Sequence, residues 1–281
     1  MLYRFDQLEG TALHARDGKL GKVEDLYFDD RDWMVRYLVV DTGGWFTSRK
    51  VLLSPASVER FDHEAGEIQM DLTKEQIEAS PPIGSEETVS RRMEAAIAAH
   101  YDWPAYWNLP SLVTGGPVLA PSLSSELSTT PELDSEMNTR RARTSRDSQD
   151  CGLRSADAVK GYDIRAEDGW IGHVVGFVYD SVTWKVRYLI VDTHKILPGK
   201  KVLIPPSMIR QVSWDGMDVT VMAKIDEIRT APAYRESDPI TSEDERNIVE
   251  HFCDSAEIAA TAGPTEPMTS ATEHLTPPSR G

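Results

Sequence analysis

Apolar residues along this chain fall in short runs bounded by Asp, Gly and Pro, and one such run is written twice. Val35-Arg36-Tyr37-Leu38-Val39-Val40-Asp41-Thr42 returns as Val186-Arg187-Tyr188-Leu189-Ile190-Val191-Asp192-Thr193, with Ile190 for Val39 the one change. A run this rich in β-branched and aromatic residues is too apolar for an exposed strand and too short for a helix, so each predicts a buried strand. Arg36 and Asp41 are its charged members. A charge inside a buried strand needs a partner, which predicts an Arg36 turned outward or paired with a carboxylate at a barrel rim, and an Asp41 that caps loop amides.

The shift of 151 residues aligns the surroundings without a gap, with 19 identities in 49 positions over residues 10–58. The chain is one module written twice. Thr11–Arg16 and Leu20–Phe28 read as strands joined by the Asp17-Gly18 turn, which Asp168-Gly169 repeats. Gly21, matched by Gly172, sits inside a strand and predicts a bulge or bend of the kind barrels use at corners. Trp33 opens the central strand. Lys50–Leu53 follows, and Val58–Asp62 with Glu67–Asp71 form a closing hairpin. The loop 43–49, with Trp45 and Phe46, differs from its counterpart 194–200 at every position, as an exposed rim free to specialise would.

Leu72–Ile77 reads as a short helical turn capped by Thr73. Glu86–Tyr101 carries Val89, Met93, Ile97 and Tyr101 on one stripe and predicts a helix. Its counterpart, Ser237–Phe252, has the stripe broken at Asp244, which predicts a shorter or less well docked helix. Four aromatics crowd Tyr101–Trp107. Trp103, Tyr106 and Trp107 form either a plug that anchors the first helix or a docking patch for a partner. The second copy has no equivalent after Cys253. Residues 111–157, rich in Ser, Thr and Pro, read as a flexible linker with one basic cluster at Arg140–Arg146, and 254–281 as a disordered tail.

Composition narrows the function. The net charge is −16, with 12 basic against 20 acidic residues over 1–110 and 13 against 19 over 158–281. Both halves should repel nucleic acid and anionic lipid. Cys151 and Cys253 make no paired motif, so neither a zinc site nor a disulfide framework is expected. No apolar run approaches the length of a spanning helix, and the N-terminus carries no leader pattern, which predicts a cytoplasmic protein. His100 and His251 are the histidines that the repeat makes equivalent. Asp41 and Asp192 are the best duplicated carboxylates, but no duplicated Ser, Cys or His shares their phrase, so a catalytic role for either is a weak third reading. No catalytic, cofactor or metal residue is assigned.

The opening Gly, the Asp-Gly hairpin, Gly-x-Val, the acidic turn, the V-R-Y-L-V-V-D-T phrase, the variable loop, Lys50-Val51-Leu52-Leu53 with Pro55 and the closing hairpin resemble the PRC-barrel family. That family is typified by the cytoplasmic part of the photosynthetic reaction centre H subunit, and a related barrel occurs in the bacterial ribosome maturation factor. The resemblance covers residues 2–107 and 159–253. It implies mainly β architecture: two small barrels in tandem, each followed by a short helix. The boundaries are a first barrel over 1–83, its helix and aromatic tail over 84–110, the linker, a second barrel over 158–234, its helix over 235–253 and the tail. It also implies a non-enzymatic module of a bacterial protein that binds another protein, at the membrane face or in a stress response. Candidate partner-binding residues are Trp45, Phe46, Trp103, Tyr106 and Trp107. The alternative is an RNA- or ribosome-associated factor, which the acidic balance disfavours. Gapless duplication of a whole unit suggests a homodimer that became one chain, and predicts two barrels packed about a pseudo-two-fold axis.

Overall fold

The computed structural model describes residues 1–43, 50–81, 89–108, 152–193 and 200–261, with side chains up to 252 in the last helix. The first unit contains β1 (Leu2–Arg4), β2 (Ala12–Ala15), β3 (Gly18–Asp29), β4 (Val35–Asp41), β5 (Lys50–Leu53), β6 (Val58–Asp62), β7 (Glu67–Met70), α1 (Lys74–Glu78) and α2 (Arg91–Tyr101). The second contains β8 (Leu153–Ser155), α3 (Ala156–Val159), β9 (Asp163–Ala166), β10 (Gly169–Asp180), β11 (Lys185–Asp192) and β12 (Lys201–Ile204). It continues with β13 (Ile209–Ser213), β14 (Asp218–Val221), α4 (Ile225–Thr230), β15 (Ala233–Tyr234) and α5 (Ser242–Thr261).

The two sheets share one topology. The first runs β5-β4-β3-β2-β7-β6, and the second repeats it as β12-β11-β10-β9-β14-β13 with β15 added outside β12. Neighbours are antiparallel except β2 with β7 and β9 with β14. Along β3 the buried positions Leu20, Val23 and Leu26 fall three apart rather than two, and ladder slips beside Gly21 and Asp25 take up the extra residues. Gly21 is required by close approach. A Cβ there would lie 2.1 Å from the Asp41 carbonyl oxygen, and one at Gly172 would lie 1.9 Å from that of Asp192. The central strand is unbroken in its apolarity because both its faces are covered. Leu38 and Val40 enter the main core, while Tyr37 and Val39 pack under α2.

The units exchange their first strands. β1 of the first copy pairs with β10 of the second, Leu2 opposite Asp180 and Arg4 opposite Val178. β8 of the second copy pairs with β3 of the first, Leu153 opposite Asp29 and Ser155 opposite Tyr27. These are the same pairs under the 151-residue shift. Midway, the Val35 amide donates to the Trp184 carbonyl at 2.8 Å and the Val186 amide to the Trp33 carbonyl at 2.7 Å, with Met34 facing Lys185. A pseudo-two-fold axis therefore passes between Met34 and Lys185, and the paired arrangement is present. Phe28, Trp33, Phe177, Tyr179 and Trp184 join both cores into one continuous cluster.

Several sequence boundaries move for this reason. The expected linker reached 157 and the second barrel began at 158, yet β8 and α3 occupy 153–159. Three strand residues carry no periodicity of their own, and the strand that orders them belongs to the other copy. Trp33 does not open β4. It sits in the turn before it at φ 61°, as Trp184 does at φ 56°. This conformation is rare for a bulky residue, and here the seam hydrogen bonds hold it.

The helices also differ from expectation. α2 begins at Arg91, with Ser90 accepting from the Met93 amide, while residues 82–88 lie outside the described set. α5 is 20 residues long, not the shorter helix expected, and runs into the segment read as tail. Asp244 does not break it. The Asp244 carboxylate accepts from the Thr241 amide at 2.8 Å, and the Thr241 hydroxyl accepts from the Asp244 amide at 3.2 Å, which is a capping box at its start. Ile248 and Phe252 stay buried beneath it.

Asp25 sits at the exchange joint. Its carboxylate accepts from the Ser155 hydroxyl at 2.5 Å and from the Asp157 amide at 3.0 Å, both in the other copy, and from Leu26. Burial outweighs these bonds and pushes its pKa up to about 6. The folded state then holds a proton that the unfolded chain releases near pH 4. Its contribution is full below that pH and is lost as pH rises through about 6. Relative to Asp25→Asn, the native protein should lose about 3 kcal/mol of unfolding free energy between about pH 3 and pH 7, and almost nothing further above that. Urea melts across this range test it, and a pH-independent difference between the two proteins refutes it.

Candidate interaction surface

Each helix is fastened to its sheet by a carboxylate. Glu94 on α2 is fully buried, accepting from the Tyr106 hydroxyl at 2.6 Å and from the Tyr37 hydroxyl at 3.4 Å, with the Arg91 guanidinium 2.7 Å away. Burial raises the Glu94 pKa, and burial with the neighbouring carboxylate raises that of the Tyr106 phenol. The second copy repeats the joint. Glu245, equivalent to Glu94, accepts from Tyr188 at 3.3 Å and from Arg187 at 3.1 Å. There the Tyr188 phenol is pushed up to about 12, chiefly by burial. The histidines of the repeat add a latch. His100 Nε2 bonds the Gln76 carbonyl at 2.6 Å, and His251 Nε2 bonds the Glu227 carbonyl at 2.8 Å, tying each long helix to the short helix before it.

Glu94 differs from Glu245 in having Arg91 as its cation, and this turns Arg36 to other partners. Arg36 pairs with Asp32, lies 3.9 Å from Asp29, and sits 3.8 Å over the Tyr106 ring. Asp102 at φ 56° ends α2, a left-handed position that Asp tolerates. The chain then folds back. Trp103 stacks on Tyr101 with ring centres 4.3 Å apart, Tyr106 meets Trp107 edge-on at 5.0 Å, and Arg91 lies 4.7 Å over Trp107.

Trp103, Tyr106 and Trp107 line a groove of about 450 Å³ whose far wall, Val182 and Trp184, comes from the second copy. Trp103, Tyr106 and Trp107 are each half-buried, and Val182 is 79% exposed. The site is thus an aromatic cleft between the copies, edged by guanidinium groups. Trp45 and Phe46, the other sequence candidates, lie outside the described residues. Asp41 accepts from the Gly43 amide at 2.9 Å and so caps its own loop. Glu94, Glu245 and the histidine latch were not singled out from sequence as contacts, although all of them keep the 151-residue spacing, and that spacing was the available signal. The contribution of Val182 and Trp184 had no signal at all.

Fold and cleft together define a duplicated, strand-exchanged β protein with an aromatic surface at the junction. Residues 2–77 match the PRC-barrel domain, and the chain carries that domain in its first copy. It is also similar to an uncharacterized protein of Deinococcus radiodurans, 33% identical over 85 residues. The match takes in 30% of this chain and 30% of that protein's length. Among the described residues no helix is long and apolar enough to cross a membrane.

Proposed function

We infer that the protein is a non-enzymatic binding module that recognises another protein through the aromatic cleft at the junction of its two copies. The observation that carries this reading is the cleft itself. Three half-buried aromatics from one copy and an exposed apolar turn from the other face the same space, where a partner side chain could be desolvated beside arginine. A partner that reads both walls would bind only the paired arrangement. The acidic charge of the chain weighs against nucleic acid as that partner.

Affinity capture of the tagged protein from its own cells, followed by binding of the purified partner to Trp107→Ala, tests the reading. Trp107 touches Tyr106 and Arg91 at the cleft edge. Its loss should weaken the partner about tenfold or more while the melting temperature stays unchanged. A variant that melts lower yet keeps its partner makes the aromatics a plug for α2 instead.

A further inference from the structure

The pseudo-two-fold axis gives the aromatic cleft a twin. Trp33 and its turn stand against Pro206 and Ile209 as Trp184 and its turn stand against Pro55 and Val58, and the twin groove measures about 740 Å³. Its contents differ. In the first copy Asp102 ends the helix and the Trp103–Trp107 segment lines the cleft, whereas α5 continues helical past the equivalent Cys253 to Thr261. Among the described residues, the positions equivalent to that segment therefore stay in the helix and do not line the second groove. The lining differs too. Arg31, Arg154, Lys185 and Arg210 line the twin, and the positions equivalent to them are Val182, Tyr3, Met34 and Glu59. All four cations therefore belong to this groove alone, in a chain whose net charge is −16. Its two carboxylates are already bonded to arginines, Asp30 to Arg154 at 2.7 Å and Asp32 to Arg36.

We propose that this second groove is a docking site for an acidic peptide segment of a partner protein. The inference rests on the reading of the chain as a binding module but uses a separate surface. The peptide form follows from the twin cleft, where the same scaffold is lined by Trp103–Trp107 of the chain itself, a short segment outside the α-helix that ends in a 3-10 turn. The acidic character follows from the excess of four cations over two carboxylates in the lining. Lys185 and Arg210 are exposed at the mouth, and Arg210 meets Glu167 only at 3.9 Å in a solvent-exposed pair. Carboxylates of an extended segment would meet Lys185 and Arg210, and an apolar side chain would lie against Trp33 and Ile209.

The test uses the full-length protein and a fluorescein-labelled peptide of alternating glutamate and serine with one central tryptophan, read by fluorescence anisotropy. A matched peptide with lysine for glutamate is the control. The double variant Lys185→Met, Arg210→Glu installs the residues found at the equivalent positions of the first copy, Met34 and Glu59, and Arg31→Val installs the equivalent of Val182 independently. Saturable binding of the glutamate peptide is expected, weakened about tenfold by the double variant, reduced by added salt, and unchanged in Trp107→Ala. Equal binding of both peptides, or full binding by both charge variants, overturns the proposal. So does binding only to vesicles of phosphatidylglycerol, which would assign the patch to a lipid surface. Failure here leaves the Trp107→Ala result standing, so the two readings fail separately.

Discussion

Cutting the chain within residues 122–146 is expected to leave a single particle of unchanged size. Each piece holds a strand that completes the other's sheet: Leu2–Arg4 lies on β10 and Leu153–Ser155 on β3. Separating them would expose the edges of β3 and β10 and uncover the Phe28, Trp33, Tyr179 and Trp184 seam, all of it 9% exposed or less. Gel filtration of the nicked protein at micromolar concentration should show the fragments co-eluting, and they should part only as they unfold. Each fragment made alone should pair with a second copy of itself, since its vacant edge and its free strand are complementary by the pseudo-symmetry. Folded monomeric fragments eluting apart would contradict the exchanged seam.

Truncating the central leucines should have the next largest effect. Leu38 and Leu189 occupy equivalent places in β4 and β11 and are both 0% exposed. Replacing either with Ala should cost about 2–5 kcal/mol, the range for a large cavity in a packed core. The merged core adds a second expectation. Either substitution should lower one shared unfolding transition rather than split it, because the copies bury side chains in the same cluster. Val182→Ala, at a position 79% exposed, should shift stability by no more than about 0.5 kcal/mol. Chemical denaturation of the three variants decides it, and a Leu189→Ala protein that melts like the parent would undo the central-strand assignment.

The aromatic tail shows how far local pattern reaches. Its density at Tyr101–Trp107 marked it as a candidate, and the structure brings Trp103, Tyr106 and Trp107 together at one cleft. The opposite wall was invisible, because Val182 and Trp184 are distant in the chain and nothing in their spacing points to residue 103. Asp244 shows the converse failure. On a helical wheel it interrupts an apolar stripe, but its backbone position makes it a cap for Thr241, and a polar residue at a helix start strengthens the helix it seemed to weaken.

What the sequence by itself determined is whatever depends on near neighbours and on the repeat. The buried phrase at 35–42 and 186–193, the Asp-Gly hairpins, the capped turn at Thr73, the glycine at the bend and the two-copy plan all follow from patterns local to a few residues, or from matching one half to the other. The tertiary structure alone decided that the two copies trade strands, that Trp33 and Trp184 leave the strand for a left-handed turn, and that one twin groove holds aromatics while the other holds cations. Leu2–Arg4 and Leu153–Ser155 are too short to bear a period, and their hydrogen-bond partners lie more than 120 residues away in the chain. A three-residue strand is specified by the edge it completes, and that edge exists only once both copies have folded against each other.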